Sequence, residues 1–317
     1  MSRTIPASYF AMVMGLAGLG QAWRAAEHVY GFPVWIGEGL MALAAAVWVV
    51  VTTFHALKWI FAREAALAEL RDAVQCCFLG LGGVSTMLVA AGALPYSRPL
   101  ALTLFGLGAS FSLVFAVWRS GLLWQGGRDP AANTPVLYFP MAASGFVAAA
   151  VATALGFREW GEFAFGIALF TWLGLESVVL HRLYTQPAMP PALRPTLGIQ
   201  IAPAGVGAVA YLAVDGGQSD VLLHAMVGYG IVQALILVRL LPWIRQQPFG
   251  AGYWSFTFGI AALSTAPLRL LAAGATGAME VVAPALFLAA NIVVGLIALG
   301  TVRLLFQGRL LPLAVAK

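Results

Sequence analysis

Apolar runs long enough to cross a hydrocarbon core of about 30 Å recur along this entire chain. There are ten, at 6–25, 34–57, 75–94, 99–118, 135–155, 160–182, 195–213, 219–241, 250–272 and 281–305. Each has the length of a transmembrane helix, and nothing remains over for a soluble domain. The expected fold is therefore all-α and integral to the membrane, one domain over residues 1–317. Charge agrees: 9% of the residues are charged, against about 25% in a soluble domain. The first run follows Arg3 and has the look of a signal peptide. With nine more runs behind it and no clear small-residue cleavage site, it reads as a retained first helix.

The net charge of +5 comes from 17 Lys and Arg spread over the loops. They form no patch, so the sequence offers no nucleic-acid face. Assigned to the nearest helix end, 13 fall on the side of the two termini, and 4 on the other: Arg24, Arg98, Arg158 and Arg269. That bias places both termini in the cytoplasm and agrees with an even number of spans. Cys76 and Cys77 are adjacent; neighbours on a helix point about 100° apart and rarely bridge, so they read as two small apolar residues. The mixed-charge segment FAREAALAELRDAV at 61–74 reads as an extension of the second helix or a short interfacial helix.

The short connections predict five antiparallel helical hairpins. Within them the odd helices are thin-faced. Ala11, Gly15, Gly18 and Ala22 share a face of the first, and the third contains GLGGVS at 80–85. The fifth has MAASGFVAAAVATA after Pro140, and the seventh GIQIAPAGVGAVA around Pro203. In any one helix such residues serve close packing. Across five, with prolines inside spans, they predict a ring of odd helices around a narrow central pore, enclosed by bulkier even helices.

Titratable groups inside the spans are few. Glu38 and Glu176 read as interhelical hydrogen-bonded or capping groups rather than coupling sites. No spacing resembles a metal site and no nucleophile–base set assembles, so no catalytic residue, metal or cofactor is expected. A passage lined by Ala, Gly, Ser, Thr and Phe holds no ion tightly, which favours weakly hydrated monovalent anions over small cations.

The ninth helix carries the sharpest feature. At 100° per residue, Ala251, Phe258, Ala262, Thr265 and Arg269 form one stripe, while Phe256, Ile260, Leu263 and Leu271 lie opposite. Phe258 is the one large ring on the thin face, near the bilayer midplane, where it would plug a pore by dewetting and steric closure. Packing between helices is the ordinary fate of a lone aromatic ring; Phe256 is the internal comparison. The candidate pore-lining residues are Ala11, Gly15, Gly18, Gly83, Pro140, Pro203, Ala262 and Thr265, with Phe258 as gate.

Several stretches resemble the tellurite-resistance/dicarboxylate-transporter family, which includes bacterial TehA and the plant slow anion channels of guard cells. They are PASYFAMVMGLAGLGQAW (6–23), LWQGG (123–127), YFPMAASGF (138–146), LGIQIAPAGVGAVAYL (197–212), GYGIVQALILVRLLPWI (228–244) and WSFTFG (254–259). The resemblance implies a homotrimer in the bacterial cytoplasmic (inner) membrane, each protomer a ring of five hairpins around its own pore. It implies a phenylalanine gate on the ninth helix, which falls on Phe258. Ala11 stands where the family has a pore-lining glycine, and Val13 and Gly83 stand where a proline would be expected. The function implied is an anion channel of low selectivity, for ions such as chloride or nitrate. The alternative is a carrier or exporter of tellurite or C4-dicarboxylates. A dicarboxylate binder would show paired cations facing the cavity, and only Arg269 offers itself.

Overall fold

The computed structural model describes residues 4–217 and 219–311; Arg3 and Lys317, both counted in the charge bias, lie outside the described residues. Among the described residues every regular element is helical. The first long helix, α1, spans Phe10–Tyr30. It is followed by α2 (Val34–Phe61), α3 (Gln75–Ala93), α4 (Arg98–Trp124), α5 (Pro135–Ala154) and α6 (Arg158–Thr185). The remainder are α7 (Pro191–Val214), α8 (Val221–Ile244), α9 (Ala251–Ala272) and α10 (Ala278–Phe306). Nine of these, α2 to α10, are long and apolar enough to cross a membrane. In α1 the apolar run is diluted by Gln21, Arg24 and Glu27, so composition alone supports nine spans where ten were expected. The 61–74 segment is a separate short helix, Arg63–Arg71, set off from α2 by Ala62.

Odd and even helices are built differently. The even helices are unbroken α-helices of 24 to 29 residues, about 36–44 Å long. The odd ones start irregularly. A 3-10 turn at Ala7–Tyr9 leads into α1. In α3, Gln75–Phe78 and Leu81–Ala93 are separated by a break at Leu79 and Gly80. The α5 helix opens as a 3-10 turn, widens to a π turn over Phe139–Ala143 and becomes α-helical at Ser144. In α7 and α9 a 3-10 stretch changes to α-helix at Ala202 and Thr257. Proline explains part of this. Pro140 has no N–H to give, and the Ser144 hydroxyl donates to the Pro140 carbonyl at 2.8 Å.

Irregular backbone survives in a membrane only where protein covers it, and the burial follows that rule. In the most apolar stretches of α3, α5, α7 and α9, 67% to 78% of residues are buried, against 17% to 33% for the even helices. Each odd helix packs on the even helix that follows it, as an antiparallel hairpin. Between hairpins the odd helices contact one another in cyclic order: α1 with α9, α9 with α7, α7 with α5, α5 with α3, and α3 with α1. The first and last described segments meet on one face of the bundle, where the Tyr9 hydroxyl donates to the Leu310 carbonyl. On the same face, Glu69 of the short helix accepts from the Ala7 N–H at 2.8 Å and pairs with buried Lys58 at 2.7 Å.

Glycine sets the closest approaches. A β-carbon on Gly205 of α7 would lie 2.7 Å from the Leu263 nitrogen and 2.8 Å from the Gly259 carbonyl oxygen of α9. The neighbours there are backbone and cannot swing aside. Gly205→Ala is therefore expected to destabilise the protein by about 1–3 kcal/mol through overpacking, whereas Gly228→Ala, at an exposed position with nothing within 4 Å, is expected to be neutral or mildly stabilising. Thermal unfolding of the detergent-solubilised variants checks the contrast; equal melting temperatures would contradict it.

Candidate functional site

Two cavities lie between the odd helices, one on each side of Phe258. The smaller is enclosed by the N-terminal halves of α1, α5, α7 and α9, with Ala11, Met14, Tyr138, Phe146, Pro203 and Trp254 in its wall. Its volume is about 20 Å³, room for about one water molecule. The larger, about 440 Å³, is lined by the C-terminal halves of all five odd helices. Phe258 and Val206 belong to the walls of both. Phe258 is 8% exposed, and it sits over Gly18, where a β-carbon would come within 3.0 Å of its ring. The missing side chain on α1 is the space the ring occupies.

Along α9 the stripe holds from Thr257 onward: Phe258, Ala262, Thr265 and Arg269 all line the larger cavity. Ala251 does not share it, because residues 251–256 form a 3-10 helix, which turns about 120° per residue instead of 100°. Phe256 packs elsewhere, against Gly198 of α7 and stacked on Tyr253 at 6.3 Å.

The other candidates divide. Ala11 and Pro203 line the smaller cavity, and Gly18 the larger. Gly15 faces Thr257 and Trp254 at the α1–α9 contact, so its bare backbone serves packing. Gly83 is turned away from both cavities, against Ser112 and the Gly108 carbonyl oxygen of α4, the latter 2.7 Å from a β-carbon placed there. It is a hairpin contact of the small-residue kind. Pro140 is buried in the wide turn of α5. Val206, Val209 and Ala213 continue the Pro203 face at helical spacing, a signal present in the sequence and not singled out there.

Charge enters only the larger cavity. Arg24 and Arg269 both line it, together with Gln21, and no lining residue is acidic. Arg269 is thus not the only arginine facing a cavity, as the sequence reading had it. Arg24 is spoken for: its Nε and Nη2 donate to the two Glu38 oxygens, each at 2.7 Å, and the Tyr96 hydroxyl donates to the same carboxylate at 2.6 Å. Glu176 is likewise an interhelical tie, accepting from Tyr138 of α5 at 2.7 Å, Trp172 of α6 at 2.9 Å and Tyr229 of α8 at 2.5 Å. Both acids act as hydrogen-bonded struts. Cys76 and Cys77 are buried free thiols.

The residues 4–302 match the family model SLAC1, described as voltage-dependent anion channel. The chain is similar to the Tellurite resistance protein TehA homolog of Haemophilus influenzae, 31% identical over 306 residues, covering 96% of this chain and 92% of that one. It is 24% identical to the S-type anion channel SLAH3 of Arabidopsis thaliana over 83% of its own length, but spans only 42% of the plant protein. An uncharacterized transporter of Methanocaldococcus jannaschii is 22% identical over 80% of each chain. This multi-pass membrane protein therefore belongs to the SLAC1 family, whose members are anion channels and transporters rather than enzymes.

Proposed function

We propose that the chain is an anion channel for small monovalent ions such as chloride or nitrate. The path runs between the odd helices, and Phe258 closes it. The observation that carries this reading is the position of the Phe258 ring as the shared wall of two cavities, which α1, α5, α7 and α9 line in succession and α3 joins at the larger. On the side of the smaller cavity there is room for about one water and almost no polar wall. An ion crossing there must shed its hydration, which is cheapest for large monovalent anions. The wall carries no carboxylate to attract cations, and its formal charges are arginines.

On this reading α1 is a tenth crossing, despite its polar second half. The meeting of Tyr9 with Leu310 supports an even number of spans, and the cyclic contacts of the odd helices support a ring of five hairpins. The whole chain is then one channel domain in a bacterial inner membrane, with both termini cytoplasmic by the distribution of Lys and Arg. The family resemblance adds a homotrimer, each subunit with its own pore, and the exposed apolar faces of the even helices are shared between lipid and neighbouring subunits.

A second reading, a carrier or exporter of tellurite or C4-dicarboxylates, is favoured by one observation: two guanidinium groups line the same cavity. The bidentate Arg24–Glu38 pair weakens it, because a dianion would meet one free cation. Proteoliposome flux separates the two. A channel gives chloride or nitrate currents that reverse near the imposed anion gradient and are indifferent to succinate. A carrier gives saturable succinate or tellurite exchange with negligible current.

Phe258→Ala is expected to raise anion conductance about tenfold or more, equivalent to at least ~1.4 kcal/mol off the barrier, in planar bilayers or oocytes. Phe256→Ala is expected to leave the closed state intact. Being half-buried against α7, it should lower stability by about 2 kcal/mol, less than a fully buried ring. Unchanged current in the first variant, or a matching rise in the second, would remove Phe258 as the gate.

A further inference from the structure

Arg269 differs from the other arginines among the described residues. Arg24, Arg98, Arg119, Arg128, Arg158, Arg182 and Arg194 all donate to a carboxylate, carbonyl or amide oxygen. Arg63, Arg71, Arg239, Arg245, Arg303 and Arg309 are exposed on the surface. Arg269 is half-buried in the last turn of α9, and its guanidinium has neither a hydrogen-bond nor an ion-pair partner. A guanidinium is always ionised, and five N–H donors without acceptors inside a bundle need water or an anion. The space for one is present, since this side chain lines the cavity of about 440 Å³.

The surroundings restrict what that partner is. Five helix C-termini converge on this side of Phe258, and their last-turn carbonyls carry partial negative charge. A mouth without a cation would repel anions. Arg24 contributes little, because Glu38 offsets it at 2.7 Å. Arg269 is left as the one uncompensated formal charge in the wall, with Gln21, Thr153 and Thr265 as the neutral polar side chains lining the same space. One free fork suits one negative charge: a planar oxoanion accepts two parallel bonds from it, and a halide accepts one. Phe258 and Arg269 share a helix face eleven residues apart, which is about 16 Å of rise. The charge therefore lies near the mouth and the ring at the floor.

We infer that Arg269 forms a binding site for a small monovalent anion in this vestibule, occupied while Phe258 still closes the path. As a station on a conduction route the inference rests on the channel reading above; as a binding site it stands without it.

The test uses the full-length protein and sodium nitrate as the probe, with sodium gluconate making up constant ionic strength. Nitrate is expected to raise the thermal unfolding temperature of the wild type saturably, and Arg269→Gln to move the midpoint of that response at least tenfold higher. In the Phe258→Ala background, nitrate current should saturate with concentration on the cavity side, with half-saturation about tenfold higher once Arg269→Gln is added, the loss of about one charge-assisted bond. If Arg269→Gln fails to fold, Arg269→Lys takes its place, and a weakened midpoint supports the site. Unchanged midpoints in the thermal response overturn the site and leave the channel reading untouched. A thermal response that depends on Arg269, with unaltered half-saturation, overturns its place on the route. A Phe258→Ala protein that carries no anion current, but still shows that response, removes the channel reading and keeps the site.

Discussion

Hydrocarbon offers no hydrogen bonds, and this constraint orders the whole molecule. A helix that departs from regular α geometry exposes N–H and C=O groups that lipid cannot satisfy. Every odd helix here makes such a departure near its start, and none of the even ones does. The irregular helices are therefore the ones that must be enclosed, and the long regular helices enclose them. The burial contrast between odd and even spans is a consequence of backbone chemistry before it is a consequence of side chains. Without water there is also little hydrophobic force between helices, so cohesion has to come from contact. Backbone-to-backbone approaches such as Gly205 on Leu263 and Gly259, or Gly83 on Gly108, provide it.

The same small residues have a second effect. A helix that presents Gly and Ala to its neighbours has few side chains with which to fill the space between them. Close packing at Gly15 and open space near Gly18 arise within one turn of α1. What decides between the two is whether the partner helix supplies bulk. At Gly15 it supplies Thr257 and Trp254; at Gly18 it supplies the Phe258 ring and the small Ala261. The Phe258 ring then stands in the wall between the two cavities.

Much of this was legible in the sequence, and the failures have specific causes. Hairpin order and the odd–even contrast follow from apolar length and residue size, which need no coordinates. On α9, Phe258, Ala262, Thr265 and Arg269 share a cavity-facing side because that part is α-helical; Ala251 fell out because apolar pattern does not distinguish a 3-10 start from an α one. Gly83 was misjudged for a related reason: glycine marks a thin face without saying which neighbour uses it, and here α4 does. Arg24 was assigned to a helix end because the apolar run stops near residue 25. The helix itself continues to Tyr30, which carries the guanidinium into the cavity wall beside Glu38.

Under the proposed channel function, that pairing bears on how a nearly uncharged passage would treat ions. A wall with two free guanidiniums would hold a dianion firmly and release it slowly, since each charge-assisted bond is worth about 1.5–3 kcal/mol. A wall with none would leave the carbonyl ends of five helices to turn anions back. Glu38 neutralises one of the two arginines at 2.7 Å and is itself held by Tyr96, so the balance lies between these extremes. Rapid passage requires that compromise of any pore, and on the proposed channel reading a carboxylate outside the cavity wall sets it.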